Sequence, residues 1–134
     1  MILPPGTTVA VADGATLRLF RNKGVKPGVL LVEITSPRLG PTNSGSGTRH
    51  HSGSANPDAR RLVEDNFAAA TAAFLNKQSL DGTIEHLVVV ADPRTLGELR
   101  KHFHADLTGK IIGQLPKDLN QRPVEDIASL IAEA

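Results

Sequence analysis

The chain has 134 residues, with 15 Lys and Arg against 14 Asp and Glu and no cysteine. That length suits one domain around one core. The balanced charge excludes a global field drawing the protein to nucleic acid or membrane, and the missing thiols exclude disulfides and thiolate catalysis. Four Phe without Trp or Tyr argue against base-stacking platforms, and no apolar run approaches the roughly 18 residues that span a bilayer. Residues Met1 to Gly6 also lack a basic segment followed by an apolar one, so a cytoplasmic protein without membrane contact is expected.

Thr7 to Ala12 alternates, with Val9 and Val11 on one side and Ala10 and Ala12 on the other, and Ala15 to Arg21 alternates again through Leu17 and Leu19. Asp13-Gly14 between the two runs predicts a hairpin with both turn residues at positive φ. After a turn over Asn22 to Gly28, Val29 to Ile34 reads as a third strand with Leu30, Val32 and Ile34 on one face, completing an antiparallel meander. From 36 to 56 the periodicity stops, and Gly, Ser, Thr, Asn and Pro take over. A connection longer than about 12–15 residues in a compact domain is usually functional or disordered, so this stretch is expected to be a flexible loop. It holds Arg38, Arg49, His50 and His51, and no acid occurs between Glu33 and Asp58.

Asn56-Pro57-Asp58 then opens a helix: an N-cap, a proline in the first turn, and an acid at the positive end of the dipole. Val63, Phe67, Ala70 and Phe74 form its expected apolar stripe, and it is expected to end near Asn76. Asp81-Gly82 turns the chain into Ile84 to Ala91, a run buried on both faces and closed by Asp92, a helix cap, and Pro93, whose missing N–H costs nothing in the first turn. Leu96, Leu99 and Phe103 mark the next helix, on which Arg94 and Glu98 are spaced for an i,i+4 pair. Lys110 to Leu115 is an edge strand stopped by Pro116. A last helix from about Pro123 turns Val124, Ile127, Leu130 and Ile131 inward. The predicted fold is a single α/β domain over 1–134, with a five-stranded mixed sheet, an antiparallel meander followed by two parallel strands, and helices covering it.

The candidate chemistry is sparse. Gly40 and Gly45 have the outer spacing of a P-loop, but Ser46 stands at the lysine position and no helix follows until about Asn56, so no phosphate cradle is expected. His50 and His51 are adjacent, pointing to opposite sides of an extended chain, and His102 with His104 has equally poor ligand geometry, so no metal or cofactor is expected. Asp13, Asp92 and Asp118 have the residue type of a two-metal carboxylate site, yet each has a duller task in a turn, a cap or a loop. Arg38, Arg49, His50, His51, Arg60 and Arg61 are the candidates for a local basic surface contacting phosphates.

Val11-Ala12-Asp13-Gly14-Ala15-Thr16-Leu17-Arg18-Leu19-Phe20, the Gly/His loop, the Ile84 to Phe103 block with Leu96-Gly97-Glu98-Leu99-Arg100, and Lys117-Asp118-Leu119-Asn120 together resemble the bacterial host attachment protein family. That family is similar to the middle domain of eukaryotic and archaeal peptide-chain release factors, so the resemblance implies a ribonuclease-H-like sheet. It also implies that the long loop occupies the place where release factors carry Gly-Gly-Gln, whose glutamine positions water at the peptidyl-tRNA ester. This chain has glutamine only at Gln78, Gln114 and Gln121, none of them in that loop, so peptidyl-tRNA hydrolysis is not implied. The expected role is a non-enzymatic module engaging ribosome or RNA through 36–61. The alternatives are a hydrolase using the loop histidines with Asp13 or Asp92, and a protein-interaction or homo-oligomeric scaffold using the alanine-rich helix and acting indirectly in attachment.

Overall fold

The computed structural model describes residues 1–24, 28–35, 37, 39 and 57–134. Strands β1 (Thr8–Ala12), β2 (Leu17–Asn22) and β3 (Leu31–Ile34) are followed by helix α1 (Pro57–Leu80), strand β4 (Leu87–Ala91), helices α2 (Pro93–His102) and α3 (Ala105–Thr108), strand β5 (Ile111–Leu115) and helix α4 (Val124–Glu133). The five strands form one sheet in the order β3-β2-β1-β4-β5. β1 to β3 are antiparallel, whereas β4 lies parallel to β1 and β5 parallel to β4, the expected meander followed by two parallel strands.

Strand alternation divides the core into two layers. Ala10, Ala12, Leu19, Leu87 and Val89 face the layer that contains Phe67, Ala68, Ala72 and Leu75 of α1 with Leu96 and Leu99 of α2. Val9, Val11, Phe20, Val88 and Val90 face the opposite layer, with Ile127 and Ile131 of α4. Each fully buried Val, Leu or Ile contributes about 1.5–3 kcal/mol relative to exposure. Because β1 and β4 are buried on both faces, the sheet's centre is where that contribution concentrates.

Three expectations are corrected. The first hairpin closes through four residues, Asp13 to Thr16, with Ala12 paired to Leu17, and neither turn residue has positive φ. Asp13 Oδ1 instead accepts the N–H groups of Ala15 at 2.8 Å and Thr16 at 2.7 Å, which shapes the turn with a side chain. The inward stripe of α1 is rotated from the predicted one: Val63 is exposed, while Phe67, Ala68, Thr71, Ala72, Leu75, Asn76 and Ser79 are buried, and the helix continues to Leu80. Apolar counting missed this because part of the buried face is polar and already has partners. Leu30, finally, precedes β3 rather than lying in it, and both it and Val32 are exposed.

Asn22 fixes the start of the segment before β3. Its Oδ1 accepts from the N–H groups of Gly24 and Leu30, each at 3.0 Å, and its amide donates to the carbonyls of Leu3 at 3.3 Å and Pro4 at 3.4 Å. Among the described residues no helix is long and apolar enough to cross a membrane.

Candidate functional site

In sheets of this kind ligands gather beyond the C-terminal ends of parallel strands. At the ends of β1 and β4 a cavity of about 280 Å³ is lined by Asp13, Asp92, Asp118, Glu64, Arg94 and Thr95, among others. The three aspartates picked from sequence therefore share one cavity. Glu64, which joins them there, carries no sequence signal of its own.

Each carboxylate is committed to local structure to a different degree. Burial works against ionisation of Asp13, but the N–H groups of Ala15 and Thr16, with further hydrogen bonds from Asn120 and the Thr16 hydroxyl, outweigh it and hold the carboxyl below its ordinary range. Asp92 is the N-cap of α2, its Oδ2 accepting from Thr95 N at 3.1 Å, and Pro93 follows in the first turn as expected. Asp118 is exposed. Gly14 owes its identity to α1: a Cβ there would come within 2.7 Å of Glu64 Cγ, so the tight approach of that side chain requires glycine. Among the described residues no group of three or more acids and histidines is arranged to hold a metal ion.

Arg94 does not pair with Glu98 along its own helix. It crosses to α1, reaching Glu64 at 3.1 Å and Asp65 at 2.7 Å, because the first turn of α2 lies beside those acids, and Glu98 pairs with Lys101 at 2.9 Å instead. At the other end of the two helices the Asn76 amide donates to the carbonyl of His102 at 2.9 Å and accepts from the N–H of His104 at 2.9 Å. Ser79 donates to Asp106, and Lys110 donates to the Ser79 carbonyl at 2.7 Å. His102 and His104 are exposed beside a groove with Lys77 and Leu80.

Of the six candidate phosphate contacts, Arg60 and Arg61 lie in the second turn of α1, both exposed, and neither forms an ion pair with a described residue. Arg38, Arg49, His50 and His51 lie outside the described residues, as does the Asn56 cap. Beside Arg61 a second groove, about 380 Å³, runs between α1 and α2 over Asp65, Arg94, Gly97 and Lys101. Sequence reasoning missed it, although a glycine inside a helical pattern is a signal that can point to such a place.

The family model described as Bacterial archaeo-eukaryotic release factor family 12 matches residues 6–131. No curated protein matches the sequence.

Proposed function

The chain belongs to bacterial archaeo-eukaryotic release factor family 12, and from that premise we propose that it is a non-enzymatic, cytoplasmic module that engages the ribosome or its RNA. Arg38, Arg49, His50, His51, Arg60 and Arg61 make the phosphate contacts in this reading. The observation that carries it is the exposed Arg60-Arg61 step on α1, which has no ion-pair partner among the described residues, following a 24-residue stretch between Glu33 and Asp58 that holds basic residues and no acid. Phosphate contacts of this kind hold a partner without reading sequence. The non-enzymatic part is supported by the absence of Gly-Gly-Gln from the chain and by the structural work of Asp13 and Asp92. The cavity those two aspartates share favours the rival hydrolase, but their bonds to backbone N–H groups count against it. The family description speaks of release factors and not of attachment; on this reading an effect on attachment to host cells is indirect, through translation.

The test is co-sedimentation of the purified protein with ribosomes over a salt series, beside a variant with Arg38, Arg49, Arg60 and Arg61 changed to Ala. Binding that weakens steeply with salt and is lost in the variant is the expected result, since each neutralised phosphate releases counterions. Binding indifferent to salt, or none at low salt, overturns the reading.

A further inference from the structure

β3 lies at one end of the sheet and, among the described residues, pairs only with β2. Hydrogen bonding alternates along an antiparallel pair, so the bond from the Lys23 N–H to the Leu30 carbonyl at 2.8 Å fixes which groups look inward. Leu30, Val32 and Ile34 turn their backbone groups to β2, and Leu31 and Glu33 turn theirs to the free edge. The side chains alternate in step. Leu31 joins the α4 layer, while Leu30, Val32 and Ile34 line the other face, where Leu30 is 59 % exposed and Val32 43 %. A strand edge with unpaired backbone groups and exposed apolar side chains is a template for another strand, and proteins ordinarily guard one with lysine, proline or a bulge. None of these occurs within Leu31–Ile34, and its one charge, Glu33, is already held by Arg18 through hydrogen bonds of 3.2 and 3.3 Å.

The order of residues in β3 says which strand fits it. When two copies of β3 run antiparallel about a two-fold axis at Val32, Leu31 of one copy stands opposite Glu33 of the other, and their outward N–H and C=O groups meet as hydrogen-bonded pairs. Val32 then meets Val32 of the partner copy in the non-hydrogen-bonded position, and Leu30 meets Ile34. Every apolar side chain on that face finds another. Glu33 faces Leu31 rather than a second Glu33, so no like charges oppose, and the Arg18–Glu33 ion pair survives on each copy. Moving the axis to Glu33 would set two carboxylates against each other, which is destabilising. An edge that complements itself in backbone, shape and charge favours its own copy over an unrelated strand.

We propose that β3 is a self-association surface, on which a second copy of this chain docks its own β3 antiparallel about a two-fold axis at Val32, joining the two sheets into one. The surface uses neither Arg60 nor Arg61, so it stands or falls apart from the ribosome reading. The test exploits the absence of native cysteine, which lets one introduced thiol report on its own surroundings. Val32→Cys sets two thiols opposite each other across the axis, with Cα atoms about 4.5 Å apart, inside the range of about 4.4–6.8 Å that a disulfide spans. It is expected to give a disulfide-linked dimer under mild oxidation. Leu30→Cys, although more exposed, leaves its two thiols four residues out of register, roughly 13 Å apart, and is expected to stay unlinked. In analytical ultracentrifugation over a concentration series, wild type is expected to reach twice the mass of one chain. Val32→Lys, which opposes two ammonium groups, is expected to remain at the mass of one, with thermal melting showing that it is folded. Where the lysine variant does not fold, the two cysteine variants decide. Wild type that sediments as one chain throughout overturns the proposal. So does a folded Val32→Lys that still doubles in mass, or a Leu30→Cys that links as readily as Val32→Cys, since either puts the contact somewhere other than this register.

Discussion

The contact between α1 and α2 has two halves built on different physics. At the lower half a buried side-chain amide, Asn76, closes the gap, satisfying at once the carbonyl left open at the end of α2 and the first N–H of the following turn. At the upper half the helices are joined by ion pairs of Arg94 with acids that are 38 % and 33 % exposed, beside an open groove. Exposed pairs of this kind contribute about 0–1 kcal/mol, whereas stranding a buried polar group costs about 1–3 kcal/mol. The lower half thus ties the helices together more firmly, and the upper half leaves a groove open between them.

The sharpest way to break that comparison is Asn76→Ala. It strands two backbone groups and is expected to cost roughly 2–4 kcal/mol in urea unfolding. Acid titration probes the adjoining contact of α1 with α3 more gently. The Ser79 hydroxyl, hydrogen-bonded to Asp106, lowers its pKa below the ordinary 3.8 against a smaller opposing effect of burial, with help from Lys110. A carboxyl lowered on folding adds stability above its unfolded pKa and loses it as pH falls through its folded pKa. Wild type should therefore lose melting temperature below about pH 4 more steeply than Asp106→Asn, and equal slopes would remove this pair from what holds α3 to α1. In the upper half, Gly97→Ala should raise stability by up to about 1 kcal/mol, because a helix former replaces glycine where no described residue obstructs its methyl. The smallest effect belongs to Arg94→Ala, at less than about 1 kcal/mol and fading toward zero near 1 M salt. A loss from Arg94→Ala as large as that from Asn76→Ala would erase the distinction between the halves.

The parts legible in the sequence were those whose signal is local. Alternation in Val9 to Ala12 gave a strand with two occupied faces, and Asp92-Pro93 gave a cap and a first turn that the structure bears out. The sheet's mixture of antiparallel and parallel strands followed from the order of turns and helices. What resisted was polar and long-range. Asn76 and Ser79 lie on the buried face of α1 because their partners, 26 to 31 residues further on, are backbone groups and a carboxylate that no periodicity marks. Arg94 finds its acids about 30 residues away rather than four, for the same reason. At the candidate site, Arg60 and Arg61 were legible as charge, whereas the groove beside Arg61 exists only once two helices are set side by side.

Asn22 has a practical consequence. One carboxamide oxygen receives the N–H groups on both sides of the connection that leads to β3, at Gly24 and at Leu30, while the amide nitrogen ties the same residue to the carbonyls before β1. The register between β2 and β3 is thereby set by the ladder and this residue together, independently of how many residues lie between the two anchored N–H groups. Lengthening a connection whose ends are already fixed adds closure entropy only logarithmically, about 0.6 kcal/mol per doubling. The position after Gly24 is thus a suitable place to graft a peptide tag or a fluorophore-binding sequence, one that reports on the protein without disturbing the strand it precedes.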